Sequence, residues 1–175
     1  MYMTLREAAK NKILILDGAM GTMIQQYNLS EEDFRGYRYR KTPGLMRGNN
    51  DMLCLTRPDV ILDIHRKYLR AGADIISSNT FSAQRISQAD YHLEDSAREM
   101  ALAGVRLARQ AADEFATPEK PRFVAASVGP TNKTCSMSPD VSNPAARDIT
   151  YEELYEAYVE QVSAFEEAGA DAILI

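Results

Sequence analysis

Cysteine is scarce in this chain: only Cys54 and Cys135 are present, far apart and without a CxxC spacing. That argues against a disulfide framework and suits a reducing cytoplasm, the expected location. Histidine is equally scarce, and His65 and His92 stand at ligand spacing neither from each other nor from the cysteines. A complete zinc site within these residues is therefore not expected. Long apolar runs are also missing, since no stretch approaches the roughly 20 residues a membrane helix needs. Met1–Lys12 carries Arg6, Glu7, Lys10 and Lys12 and lacks the unbroken apolar segment of a secretory leader. The last absence is an excess of positive charge. Acidic residues outnumber basic ones 25 to 20, giving a net charge of −5. Arg35, Arg38, Arg40, Lys41 and Arg47 are interleaved with acids, aromatics and glycines. Neither a nucleic acid nor a membrane surface is an expected partner.

What is present is the composition of one soluble globular domain: 175 residues, 45% apolar and 26% charged. Ile13–Leu16 is an unbroken apolar run ending in Asp17-Gly18-Ala19-Met20-Gly21-Thr22, the pattern of a fully buried strand in a parallel sheet. Leu5, Ala8 and Ala9 before it predict a short helix lying over one end of that sheet. From Asn28 to Thr56 no period is sustained, and so long an excursion points to function. Pro58 then opens a helix with Val60, Ile61, Ile64, Tyr68 and Leu69 inward and Gly72 as its cap.

Strands are predicted at Ala73–Ser77, Arg122–Val128 and Asp171–Ile175, with helical patterns at Ser82–Ala89 and Ser96–Phe115 between them. Thr150-Tyr151-Glu152-Glu153 has capping-box spacing and predicts a helix over Tyr151–Ala168, with Leu154, Tyr158, Val162 and Phe165 inward. An internal repeat supports this parsing. Ala71-Gly72-Ala73-Asp74-Ile75-Ile76 nearly recurs as Ala168-Gly169-Ala170-Asp171-Ala172-Ile173, each time a helix cap feeding a strand. The order βαβαβαβ implies a parallel sheet, closed as an eightfold barrel or open and doubly wound. The sequence stops within the apolar run Ala172-Ile173-Leu174-Ile175, so it is expected to be part of a longer domain.

In parallel α/β folds the chemistry gathers at the C-terminal strand ends. Here these are Asp17–Thr22, Ser77–Phe81 and Ser127–Asn132. Asp17 is placed to hold a substrate ammonium by a charge-assisted hydrogen bond, or simply to cap the turn that follows it. The N–H groups beyond Asp17 suit a carboxylate. Gly18-x-x-Gly21 lacks the spacing of a dinucleotide fingerprint. Asn79 and Thr80 offer an amide and a hydroxyl, for a ligand or for a local turn. Tyr37, Tyr39 and Tyr91 are candidates to line a pocket or to anchor loops.

Asp17-Gly18-Ala19-Met20-Gly21-Thr22-Met23, Gly48-Asn49-Asn50-Asp51, Asn79-Thr80-Phe81, Ala89-Asp90-Tyr91 and Gly129-Pro130-Thr131-Asn132, with the first copy of the repeat, resemble in order the homocysteine-binding domain of cobalamin-dependent methionine synthases. The first and third of these elements are shared by homocysteine S-methyltransferases at large. The GNND and ADY elements and Ser136–Val141 resemble the cobalamin-dependent enzymes in particular. The resemblance implies an α/β fold, a parallel (β/α)8 TIM barrel. Residues 1–175 would be its N-terminal half, of about four strands, cut in or just after the fourth.

It further implies that Asp17 receives the ammonium of homocysteine, that the N–H groups of Gly18 and Ala19 receive its carboxylate, and that Asn79 and Thr80 shape the pocket. Zinc held by cysteines of later strands would activate the sulfur, and methylcobalamin, recharged by methyltetrahydrofolate on other modules of the same protein, would supply the methyl group. Neither Cys54 nor Cys135 matches a zinc position, so no metal, cofactor or catalytic residue is expected in the fragment itself. Related chains often have Glu-Thr where this one has Ser77-Ser78, which removes an expected carboxylate from that strand end. A cobalamin-independent homocysteine methyltransferase using betaine or S-methylmethionine, and a binding domain without chemistry, are the competing readings. Two unpaired sheet edges would favour a homo-oligomer.

Overall fold

A computed structural model describes residues 3–175; Met1 and Tyr2, the start of the Met1–Lys12 segment considered above, lie outside the described residues. Helix α1 (Leu5–Asn11) opens with a capping box between Thr4 and Glu7. Its exit is tied to the segment before β1, where Lys12 Nζ meets the Asp74 carboxylate at 2.7 Å. The order that follows is α2 (Met20–Gln25), α3 (Glu31–Arg35), α4 (Leu53–Thr56), α5 (Pro58–Ala71), β1 (Ile75–Ser77), α6 (Arg85–Gln88), α7 (Ala97–Phe115), β2 (Phe123–Ser127), α8 (Tyr151–Glu167) and β3 (Ala172–Leu174). Strands β1, β2 and β3 are parallel neighbours in sequence order, with Ser77 beside Ala125 and Ser127 beside Leu174. Among the described residues no helix is long and apolar enough to cross a membrane.

The first expected strand is corrected. Ile13–Leu16 contributes one parallel bridge, Leu16 to Ile75, and Ile13 and Ile15 are exposed. Within residues 3–175 the run is edge backbone, paired on one side through Asp17 N–H to Ile75 O at 2.9 Å. The remaining order is that of a parallel α/β unit, with α5, α7 and α8 in the crossovers.

The repeated Ala-Gly-Ala-Asp has a physical basis. Each glycine, Gly72 (φ 113°) and Gly169 (φ 82°), ends a helix in the left-handed region. Each aspartate then bonds the preceding strand: Ile15 N–H donates to Asp74 Oδ2 at 3.1 Å, and Val124 N–H to Asp171 Oδ2 at 2.8 Å. The motif thus stops a helix and sets the register of the next strand.

Helix α5 follows the sequence pattern, with Pro58 in its first turn and Val60, Ile61, Ile64 and Leu69 buried; His65 is buried with them. Helix α8 does not. Its buried face is Ala157, Gln161, Ala164 and Phe165, while Leu154 and Tyr158 are half-buried and Val162 is exposed. Small residues let α8 approach α7 alongside the buried Phe165, while Leu154, Tyr158 and Val162 lie towards its flank. The expected helix at Ser82–Ala89 shrinks to α6, and two 3₁₀ turns, Ala89–Tyr91 and Glu94–Ser96, follow it. The aperiodic Asn28–Thr56 excursion is packed: Leu29, Phe34, Tyr39, Met46, Met52 and Leu53 are buried. Arg35 binds the carbonyls of Tyr39, Thr42 and Gly44, and Glu31 takes the N–H groups of Met46 and Arg47 at 2.9 and 2.8 Å.

Candidate functional site

The C-terminal ends of the strands surround a cleft of about 420 Å³, lined by Gly18, Met20 and Gly21, by Gly48, Asn50 and Asp51, by Ser77–Ser82, and by Ser127. Asp17 adjoins it, half-buried. Its carboxylate takes the Ser77 N–H at 2.9 Å and the Ser77 hydroxyl at 2.7 Å. Burial pushes its pKa up, and the two bonds from Ser77 work in the opposite direction. The strand end at Ser77 therefore carries a carboxylate supplied from the neighbouring chain segment.

Beyond Asp17 the turn rests on α5: the Tyr68 hydroxyl donates to Ala19 O at 3.3 Å, and a Cβ on Gly18 would lie 3.3 Å from the same hydroxyl oxygen. Ala19 is the N-cap of α2 and makes no side-chain cap bond. The N–H groups of Gly18 and Ala19 have no hydrogen-bond acceptor among the described residues.

Asn79 and Thr80 are brought to the cleft wall, in different roles. Asn79 Nδ2 donates to Asn50 O at 2.7 Å, joining the strand end to the Gly48–Asp51 loop. Thr80 is fully buried. Its hydroxyl donates to Ser127 O at 2.9 Å and lies 2.6 Å from Ser78 Oγ, while its carbonyl accepts from Gln161 Nε2 at 2.9 Å. Thr80 thus joins β1, β2 and α8 and shapes the cleft from behind. On the third strand end, Gly129 N–H donates to Phe81 O at 2.8 Å, and a Cβ on Gly129 would come within 2.5 Å of the Phe81 ring.

Sequence reasoning did not assign Asp51 a role. It is 6% exposed, accepts the Ser82 N–H at 2.9 Å, and burial pushes its carboxyl up to about 6. The available signals were the length of the excursion and the GNND element, which marked the loop without singling out the residue. Among the three tyrosines, Tyr39 is buried with its hydroxyl 3.1 Å from Ser96 Oγ, Tyr37 is exposed, and Tyr91 lines a second cavity beside the cleft.

A zinc ion does not fit the donors present. Among the described residues no three His, Cys, Asp or Glu side chains converge. Burial, with the nearby Asp51 charge, pushes the Cys54 thiol up to about 12, and Cys54 Sγ donates to Asn79 O at 3.2 Å. His65 is enclosed, and burial pushes its imidazole down to about 4.

The homocysteine methyltransferase MmuM from Escherichia coli shares this fold. Its oxidized form superposes with a TM-score of 0.70 at 24% identity, over 97% of this chain and 55% of that one. The metallated form gives 0.70 at 22% identity with the same coverage, and the apo form gives 0.61 at 23% over 95% of this chain and 49% of that one. This chain thus spans about half the length of the solved structures it matches. The family model described as homocysteine S-methyltransferase matches residues 14–175, nearly the whole sequence, and the chain belongs to that family.

Proposed function

We propose that this chain is the homocysteine-holding half of a (β/α)8 barrel, and that the full-length protein is a cobalamin-dependent methionine synthase. The observation that carries the binding assignment is the grouping at one strand end of a half-buried carboxylate, Asp17, with two N–H groups lacking acceptors, on Gly18 and Ala19, beside a cleft of about 420 Å³. An α-amino acid presents an ammonium and a carboxylate on one carbon, and this pair of charges matches that arrangement. Asp17 receives the ammonium, Gly18 and Ala19 receive the carboxylate, and the sulfur end runs towards Asn79 and Ser127. Thr80 holds the wall.

The chain's own residues bind and orient the substrate. The metal that activates the sulfur and the cobalamin and folate modules that supply the methyl group belong, in this reading, to the rest of the full-length protein. The MmuM E. coli structures include a metallated form, which supports a metal in the family. The choice of cobalamin rests on Gly48–Asp51, Ala89–Tyr91 and Ser136–Val141. The structural likeness to MmuM favours a second reading, a homocysteine methyltransferase that uses S-methylmethionine or betaine. Methionine formation by the full-length protein, assayed with each donor in turn, separates the two. Turnover with methylcobalamin and methyltetrahydrofolate supports the first reading, and turnover with an onium donor alone replaces it with the second. Absence of homocysteine binding in a calorimetric titration would remove both.

A further inference from the structure

The Gly48–Asp51 loop is a partition. On one face lies the cleft; on the other lies a cavity of about 300 Å³ walled by Asn49, Ser87, Asp90, Tyr91 and Asn132, with Asp51 and Ser82 reaching both spaces. Two hydrogen bonds cross from this loop to the Asn79–Ser82 turn, and they run in opposite senses. Asn79 gives its side-chain N–H to the backbone carbonyl of Asn50 at 2.7 Å, and Ser82 gives its backbone N–H to the side-chain Oδ1 of Asp51 at 2.9 Å. Asp51 Oδ2 has no hydrogen-bond partner in another residue among those described. The ionisable groups facing Asp51 are Cys54 on α4 and Asp90 and Tyr91 on the turn after α6, with Asp17 across the cleft on Ser77. Ser82, Ser87, Pro130, Thr131 and Asn132 add no charge, and among the described residues no lysine, arginine or histidine lines either space.

We propose that Asp51 is a positioning residue of the cleft: its ionised carboxylate holds the Ser82 N–H and with it the Asn79–Ser82 turn, so the cleft is fully built only while Asp51 carries its charge. A carboxylate is a stronger acceptor for an N–H than a neutral acid, and protonation also puts a donor where Oδ2 has no partner. Burial without a counter-charge pushes the Asp51 carboxyl up to about 6, which brings the change close to neutral pH. The inference rests on the reading of the cleft as the homocysteine site.

The test uses the full-length protein, with Asp51→Asn and, as a control for a carboxylate on the same cavity, Asp90→Asn. The amide introduced by Asp51→Asn still offers an oxygen to Ser82 and does not titrate. If only the ionised form is competent, homocysteine affinity of the unmodified protein falls about tenfold between about pH 7.5 and about pH 5. Asp51→Asn flattens that profile, and Asp90→Asn leaves it in place. Amide hydrogen exchange read by mass spectrometry on the peptide containing Ser82 needs no ligand. At the higher pH this peptide exchanges more slowly in the unmodified protein than in Asp51→Asn, and at the lower pH the two agree. Equal exchange at both pH values, or a profile unchanged by Asp51→Asn, overturns the proposal. If homocysteine does not bind at either pH, the homocysteine reading falls, and the exchange comparison still decides whether Asp51 positions the turn.

Discussion

Gly104 of α7 and Thr80 at the end of β1 meet with no room between them: a Cβ on Gly104 would lie 2.3 Å from Thr80 Cγ2 and 3.1 Å from Asn79 O. The helix can therefore lie directly behind the cleft wall only because residue 104 has no side chain. Gly104→Ala gains about 1 kcal/mol of helix propensity. It also forces a methyl into Thr80, at a cost of roughly 1–3 kcal/mol of overpacking. The expected outcome of urea denaturation is a net loss of stability, accompanied by weaker homocysteine binding, because Asn79 and Thr80 move with the wall. A stabilised variant with unchanged binding would show that α7 shifts freely.

Two buried groups give opposing pH dependences. The His65 imidazole, with both ring nitrogens unpartnered, is pushed down to about 4 from an ordinary 6.5. Between those values the unfolded chain binds a proton that the folded one refuses, so this contribution to stability is complete above 6.5 and is lost as pH falls towards 4, about 3 kcal/mol in all. Asp51 is pushed up to about 6 from 3.8, so the folded chain binds the extra proton and stability falls as pH rises through that window. The two slopes, each about 1.4 kcal/mol per pH unit, nearly cancel between about pH 4 and 6. Relative to the unmodified protein, Asp51→Asn is expected to gain stability steadily as pH rises through this window, and His65→Leu to lose it. Denaturant midpoints across pH check both. Parallel curves for all three proteins would contradict the assigned burial.

The fold was legible where the sequence carries backbone constraints. Pro58 and Gly72 bracket α5, Thr150 with Glu153 starts α8, and the Ala-Gly-Ala-Asp repeat marks two helix-to-strand turns. It was misread where hydrophobicity alone had to decide. Ile13–Leu16 pairs on one side only within the described residues, and the expected Phe165 shares the inward face of α8 with Ala157, Gln161 and Ala164, whose small or polar side chains carry little signal. At the site, Asp17 and Asn79 were visible because polar residues at strand ends stand out. Asp51 did not stand out, because its burial depends on a loop folding back over Ser82, a contact between residues far apart in sequence.

Asp171 offers a test of the repeat. Its carboxylate takes the Val124 N–H at 2.8 Å and pairs with Arg109, and its own N–H donates to Val124 O at 2.9 Å. Asp171→Ala leaves the Val124 N–H without that acceptor at the start of β2, and a loss of about 1–2 kcal/mol is expected. Asp171→Asn, which keeps an oxygen for Val124, should lose less. Chemical denaturation of the two variants orders them. Equal losses would assign the effect to the Arg109 ion pair instead.

Asp17 decides between a capping and a binding role, because the two predict different losses. In Asp17→Asn the amide oxygen still accepts the Ser77 N–H, and the amide N–H₂ can donate to the Ser77 hydroxyl, so both contacts that hold residue 17 survive the change. Stability should therefore move by only a few tenths of a kcal/mol. What disappears is the negative charge opposite the ligand ammonium. Losing a charged hydrogen-bond partner costs roughly 1.5–3 kcal/mol, about ten- to a hundredfold in homocysteine affinity. Ser77→Ala supplies the reciprocal control: it deletes one of the two bonds to Asp17 and keeps the charge, so affinity should fall less than in Asp17→Asn. Calorimetric titration of homocysteine into the full-length protein and the two variants, with thermal melts of the same samples, gives both quantities. Unchanged affinity together with a large drop in melting temperature for Asp17→Asn would make Asp17 a turn cap and remove it from the site.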